Sequence, residues 1–126
     1  MSVLGIGTDI VDITRLEKMS DVVRAKLARR VLTDTEYEHY SKIKFPIPYL
    51  AKRWAGKEAA AKALGTGIAE GVSFQHFSIT SLNSGQPVLN LSDRALELAQ
   101  QMNASSWHIS LSDEVQYAVA FVVLSR

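Results

Sequence analysis

The spacing of apolar residues divides the chain into a first half of one strand followed by helices and a second half dominated by strands. Val3–Ile13 is rich in β-branched residues and predicts a strand, in which Gly5 and Gly7 allow another backbone to approach closely. From about Ile13 to Leu32 apolar residues recur every three or four positions, which predicts one long helix.

Local end signals predict two more helices in the first half. Thr33 followed by Glu36 has the spacing of a capping box and predicts a short helix that ends near Lys42. Two prolines then interrupt the chain, and an alanine-rich helix is expected from near Tyr49 to Leu64. The glycines after Leu64 supply the left-handed backbone that ends such a helix.

The second half predicts two pairs of strands separated by a helix. The strands are expected over Phe77–Leu82, Pro87–Leu91, Trp107–Leu111 and Tyr117–Leu124. Ser92 predicts the cap of a helix that ends near Met102. The last strand is almost wholly apolar, so it should be central or buried on both faces. Strands and helices without strict alternation predict an α+β fold.

The composition is that of an ordinary globular protein. With 126 residues, 47% hydrophobic and 21% charged, the chain is expected to form one domain over residues 1–126. It has no cysteine, so any metal must be held by oxygen or imidazole ligands. The N-terminus lacks the features of a signal peptide, and no run approaches the ~20 apolar residues of a membrane span. A cytoplasmic protein that does not bind membranes is therefore expected.

Basic residues are concentrated in one segment of a chain whose net charge is only +1. Six basic residues and two acids fall between Thr14 and Arg30. Such a helix is typical of a surface that docks an acidic partner, although charge alone slightly favours an ordinary solvated face. Nucleic-acid binding is not expected, because the chain is nearly neutral and has few interleaved aromatic residues.

The candidate chemistry begins with Glu58 and Lys62, which lie one turn apart on the same face of the predicted alanine-rich helix. In isolation this spacing is typical of a solvated ion pair. Asp9, in an otherwise apolar strand, is a second carboxylate that needs a cation or water. Asp9 and Glu58 together offer the oxygen ligands that suit Mg²⁺ bound with substrate phosphates, and Lys62 is then a phosphate contact.

Other residues add groups that bind anions. Arg53, the turn that begins at Gly65, and His108 are candidate phosphate contacts. The chain contains no P-loop motif, and the spacing of its three histidines does not indicate zinc. From the residues alone, a Mg²⁺-dependent nucleotide phosphohydrolase and a non-enzymatic module that binds through its basic helix remain open.

Four segments resemble the holo-[acyl-carrier-protein] synthases, a family of small 4′-phosphopantetheinyl transferases. They are GIGTDIVDI at 5–13 followed by Arg15, RVLTDTE at 30–36, RWAGKEAAAKALG at 53–65, and HISLS at 108–112 with Tyr117 and Ala118. Their order and spacing hold over essentially the whole chain. The resemblance implies a single transferase domain in which a long helix packs on an antiparallel sheet.

The resemblance also implies an activity. Members of this family transfer 4′-phosphopantetheine from coenzyme A to a serine of apo acyl carrier protein, and they release adenosine 3′,5′-bisphosphate. They need Mg²⁺ and are typically homotrimers with active sites at subunit interfaces. The implied partners are therefore coenzyme A and an apo acyl carrier protein of fatty acid biosynthesis.

Site residues follow from the positions that match the family motifs. The implied catalytic residues are Asp9, Glu58 and Lys62, of which Asp9 and Glu58 are the metal ligands. Coenzyme contacts are implied for Lys62, Arg53, Gly85, Pro87 and His108, and carrier docking for Arg15, Lys18 and Arg24. Where many relatives carry a histidine in the closing turn, this chain has Ser112-Asp113-Glu114, so a role for that turn is not predicted.

Overall fold

The computed structural model describes residues 2–126, and within that range five helices and five strands form an α+β fold, as predicted. In chain order the elements are β1 (Val3–Asp12), α1 (Ile13–Lys18), α2 (Asp21–Val31), α3 (Asp34–Tyr40), α4 (Pro46–Ala63), β2 (Phe77–Ser81), β3 (Pro87–Leu91), α5 (Asp93–Gln101), β4 (Ser106–Asp113) and β5 (Tyr117–Ser125). A 3₁₀ turn, Phe74–His76, precedes β2. Among the described residues, no helix has the length and apolar character needed to cross a bilayer.

The strands form two antiparallel sheets. One has three strands in the order β1-β5-β4, and the other is the β2-β3 hairpin. β5 is central, as its apolar sequence predicted. Its residues alternate, however: Val122 and Leu124 are fully buried on the inner face, while Phe121 on the outer face is 45% exposed. The three-stranded sheet therefore has one covered and one uncovered face.

Helix α4 covers the inner face of this sheet, and glycines in β1 allow it to lie unusually close. A side chain at Gly7 would collide with the carbonyl oxygen of Ala59, and one at Gly5 with that of Ala63. Because side chains alternate along a strand, Asp9 projects from the same face of β1 as these glycines. The close approach of strand and helix therefore places Asp9 beside the charged residues of α4.

The single helix predicted over residues 13–32 is wrong, because the chain is extended at Met19 and Ser20 between α1 and α2. Ser20 caps α2 by accepting a hydrogen bond from the Val23 backbone N–H at 3.2 Å. Arg24 donates to the carbonyl oxygens of Leu16 and Met19, at 3.0 Å each, near the end of α1. These contacts satisfy backbone groups that a break would otherwise leave open, while the apolar spacing continues through it.

Other helix ends agree more closely with the sequence. The predicted capping box is confirmed: Thr33 N–H donates to Glu36 Oε1 at 2.8 Å, and Glu36 N–H to Thr33 Oγ1 at 3.3 Å. Helix α4 begins at Pro46, three residues before the predicted start, because proline is well suited to the first turn. Ser92 does precede α5, but its hydroxyl donates to the carbonyl of His76 instead of capping the helix.

Candidate active site

Asp9 and Glu58, predicted from the sequence to act together, line one cleft between β1, α1 and α4. The cleft has a volume of about 280 Å³ and is bordered by Asp9, Ile10, Val11, Arg15, Trp54 and Glu58. The glycine face of β1 and the fourth turn of α4 thus place the two carboxylates on facing elements. Arg15, from the basic segment of the chain, is at the border of the cleft.

Lys62 of α4 forms an ion pair with Asp9 of β1. Its ammonium lies 2.9 Å from Asp9 Oδ1 and 3.0 Å from the carbonyl oxygen of Thr8. The lysine side chain is 50% exposed. The spacing of Glu58 and Lys62 along α4 therefore serves to place both groups at Asp9, and Lys62 remains accessible to a ligand at the edge of the cleft.

The environment of Glu58 favours a cation. Burial raises the pKa of Glu58, and the nearby charge of Asp9 raises this pKa further, while Lys62 and Arg30 lower it in part. Hard oxygen ligands with residual negative charge are the ligands that Mg²⁺ prefers. Asp9 and Glu58 fit that ion. Within residues 2–126 there is no cluster of three or more acidic, histidine or cysteine ligands, so water or substrate oxygens would fill the other positions.

The predicted docking residues differ in their accessibility. Arg15 borders the cleft, with its guanidinium 5.8 Å from the centre of the Trp54 ring, and Lys18 is exposed on the same helix. The side chain of Arg24 is only 17% exposed, and besides its bonds to the end of α1 it pairs with Asp21 at 2.8 Å. Arg24 therefore has a structural role that the sequence did not indicate.

Arg53 lies in a second pocket, on another side of α4 from Glu58. Their separation of five positions corresponds to a rotation of about 140° around the helix. Arg53 is 7% exposed, and its guanidinium lies 4.3 Å from the centre of the Tyr49 ring. The pocket, of about 270 Å³, is lined by Thr35, Glu36, His39, Tyr49, Arg53, Ile79, Thr80 and Ser81. Among the described residues the buried Arg53 Nε has no hydrogen-bond partner.

The remaining predicted coenzyme contacts lie elsewhere on the surface. Pro87 and His108 line one small groove of about 130 Å³ between β3 and β4. Gly85 has a φ of 91° in the exposed hairpin turn that leads to this groove. Gly65, with a φ of 85°, ends α4, and its N–H donates to the carbonyl of Lys62 at 2.9 Å. Within one chain, the structure brings Asp9, Glu58, Lys62 and Gly65 into one region but leaves the other contacts apart.

One pair next to the site was missed from the sequence. Lys57, the residue before Glu58, is fully buried and forms an ion pair of 2.6 Å with Glu36, which is 4% exposed. A signal was present: Lys57 lies on a helix face where the positions three, four and seven residues later are Ala60, Ala61 and Leu64. A lysine on an apolar face requires a buried partner.

The fold and the cleft together define a small α+β domain in which two carboxylates line one cleft and a lysine lies at its edge. A model of the 4′-phosphopantetheinyl transferase superfamily matches residues 5–122. The holo-[acyl-carrier-protein] synthase of Photorhabdus laumondii is 47% identical over 126 residues, which is 100% of both chains. The chain therefore belongs to the 4′-phosphopantetheinyl transferase superfamily, and the family and enzyme class predicted from the motifs are confirmed.

Solved structures give the same result. The crystal structure of a holo-[acyl-carrier-protein] synthase from Neisseria meningitidis superposes with a TM-score of 0.89 at 37% identity, covering 99% of this chain and 100% of that one. The synthase from Bacillus anthracis, solved in complex with CoA (3′,5′-ADP), superposes with a TM-score of 0.81 at 34% identity and covers 98% of each chain. The predicted fold, an antiparallel sheet with a long helix packed on it, is confirmed.

Proposed function

We propose that this enzyme transfers 4′-phosphopantetheine from coenzyme A to a serine of an apo acyl carrier protein of fatty acid biosynthesis. The observation that carries the proposal is the cleft in which Asp9, Glu58 and Lys62 converge beside an exposed basic edge. It occurs in a chain whose full-length relatives are holo-[acyl-carrier-protein] synthases. The products are holo carrier protein and adenosine 3′,5′-bisphosphate.

The residues of the cleft suit this reaction. The serine oxygen forms a new bond to phosphorus as the bridging P–O bond of the coenzyme pyrophosphate breaks, and this displacement depends mainly on positioning and charge neutralisation. Asp9 and Glu58 would hold Mg²⁺, which neutralises the charge on phosphate oxygens when bound. Lys62 adds a positive charge on the leaving side. Glu58, acting through a water, would accept the serine proton.

Part of the proposal is that the enzyme is a homotrimer with active sites at subunit interfaces. Its support is the uncovered outer face of the three-stranded sheet, where Ile6 and Ile10 are each 61% exposed beside Val119, Tyr117 and Phe121. A large apolar patch of this kind marks an interaction surface. His108 lies on the same outer face, and Arg53 faces away from the carboxylate cleft. A second copy of the chain therefore supplies the coenzyme contacts that one chain cannot bring to its own cleft.

The shared site can be tested by mixing two inactive variants. Glu58→Gln removes a metal ligand, and Arg53→Ala removes the proposed coenzyme contact of the second pocket. If the two residues serve one site from different subunits, mixed trimers contain some sites with both residues intact. Activity should then reappear on mixing and subunit exchange. Two variants that stay inactive in trimers shown by mass to be mixed would argue against the shared site.

The carrier protein docks, in this proposal, on the exposed basic edge formed by Arg15 and Lys18. Arg24, which was also predicted to dock, joins α2 to the end of α1 and so stabilises the helix that carries this edge. The partner is therefore an acidic protein, and neither nucleic acid nor a membrane is involved. A single transferase domain over residues 1–126 and a cytoplasmic location complete the proposal.

The activity is tested directly by incubating the protein with coenzyme A, Mg²⁺ and an apo carrier protein. Mass spectrometry of the carrier should show a gain of one phosphopantetheine group, and omission of Mg²⁺ should abolish the gain. An unchanged carrier mass would overturn the proposal. Cleavage of coenzyme A in the absence of carrier would instead support the Mg²⁺-dependent phosphohydrolase considered above.

A further inference from the structure

The buried pair Lys57–Glu36 joins four elements of the fold. The Lys57 ammonium donates to Glu36 Oε1 at 2.6 Å and to the carbonyl oxygen of Val31 at 2.7 Å. The Glu36 carboxylate also accepts the backbone N–H of Thr33 at 2.8 Å and that of Ile79 at 2.7 Å. The pair therefore connects α4 to the end of α2, the start of α3 and strand β2. Both carboxylate oxygens and the ammonium have short, direct partners.

Stability alone does not account for such a pair. A buried ion pair is often matched or exceeded in stability by apolar residues of similar volume, so its presence is weak support for a purely stabilising role. Most of the other buried side chains of α4 are alanines, which form no side-chain hydrogen bonds. Directional hydrogen bonds fix the position of a helix along and around its axis. Lys57 supplies them one residue before Glu58.

The elements held by the pair lead from the catalytic helix to the proposed docking edge. Lys57 binds the last residue of α2, Val31, and Arg24 of α2 binds the end of α1 through Leu16 and Met19. Helix α1 carries Arg15 and Lys18. A continuous series of buried or half-buried hydrogen bonds thus connects the helix that bears Glu58 to the surface on which the carrier protein would dock.

We propose that Lys57 and Glu36 are positioning residues, which set the place where the carrier serine arrives relative to Glu58. This inference rests on the proposed function. Because reaction rates fall steeply when reacting groups are misplaced by about 1 Å, a loosened α2 should affect the carrier more than the coenzyme. A role confined to stability would change neither Michaelis constant in the folded protein.

The test uses the double variant Lys57→Met/Glu36→Gln, which removes both charges and leaves side chains of similar size. We expect the KM for carrier protein to rise about tenfold and kcat to fall about 10- to 100-fold, with a smaller rise in the KM for coenzyme A, because Glu36 also lines the pocket of Arg53. Assays are run well below the unfolding temperature of each variant. Leu91→Ala, a core truncation in β3, is the control, since Leu91 is buried and pairs across the hairpin with Phe77, which is not part of this series of bonds.

Each result either supports or overturns the positioning role of Lys57 and Glu36. A folded double variant with wild-type constants, or a Leu91→Ala variant with the same change in carrier KM, would overturn the inference. If the double variant does not fold, Lys57→Arg keeps a cation against Glu36 but alters its reach, and wild-type kinetics in that variant would be equally contrary. A wild-type enzyme that fails to modify any carrier overturns the proposed function itself, which is a separate result.

Discussion

Helix α4 contributes two lysine–carboxylate pairs that differ in almost every respect except chemistry. Lys57 and Glu36 are 0% and 4% exposed at a separation of 2.6 Å, whereas Lys62 and Asp9 are 50% and 18% exposed at 2.9 Å. The first pair is surrounded by backbone groups that satisfy it. The second borders a cleft that contains another carboxylate. Burial and the number of fixed partners thus separate a structural pair from one that is available to a ligand.

Neighbouring residues of α4 show the same difference in their protonation. Burial lowers the pKa of Lys57, and the charge of Glu36 opposes that change. Burial also raises the pKa of Glu58, but there the charge of Asp9 adds to the effect of burial. The nearest charge thus opposes the effect of burial at Lys57 and adds to the effect of burial at Glu58. Ionisable groups whose pKa is shifted by burial and by a like charge, and which lie in a cleft, are common at functional sites.

The largest effect is expected from breaking the buried pair on one side. Lys57→Met leaves the Glu36 carboxylate buried without its cation and should lower the free energy of unfolding by about 3–5 kcal/mol. Lys62→Met, the matched change in the exposed pair, should cost less than about 1 kcal/mol. Urea unfolding of both variants measures the difference. Equal losses would show that burial does not distinguish the two pairs.

For activity, in contrast to stability, the largest effect is expected at Glu58. Glu58→Gln should lower kcat/KM by about 10²- to 10³-fold, because in the proposed site it removes one of the two carboxylates that would hold Mg²⁺ beside the reacting phosphates. Its urea unfolding should remain close to that of the wild type. Glu38→Gln is the control, since Glu38 is an exposed glutamate of α3 that pairs with Lys42. Full Mg²⁺-dependent turnover in Glu58→Gln would remove Glu58 from the site.

A smaller effect, on the KM for carrier protein, should distinguish the exposed Arg15 and Lys18 from the largely buried Arg24. Arg15→Glu combined with Lys18→Glu should raise the KM for carrier protein about tenfold at low salt and less at high salt, since Debye screening weakens steering. The KM for coenzyme A should change little. Arg24→Gln should instead lower stability, because it removes the bonds to the end of α1. A salt-independent change in KM would contradict the docking assignment.

The sequence correctly predicted those features of the fold that depend on a few adjacent residues. The capping box at Thr33, the strand containing Asp9 and the glycine that ends α4 each depend on a few adjacent residues. The break between α1 and α2 does not, because it is stabilised by Arg24 and the apolar spacing continues through it. The pairing of Lys57 with Glu36 joins residues 21 positions apart, and only the folded chain brings them together. The coenzyme contacts proposed at Arg53 and His108 face different sides of one chain, so the sequence motifs indicate both residues without showing how they would meet.

The smallest predicted effect concerns stability against pH in protein freed of metal by a chelator. Because the pKa of Glu58 is raised in the folded state, folded protein retains a proton that unfolded protein releases at lower pH. Glu58 therefore lowers stability progressively as pH rises from the ordinary glutamate pKa through the raised one. Glu58→Gln lacks this loss, so its Tm relative to the wild type should increase over that pH range. Excess Mg²⁺ should reduce the difference, because binding to the ionised pair stabilises the wild type. A Tm difference that does not vary with pH would show that Glu58 is as well compensated as the buried pair beside it.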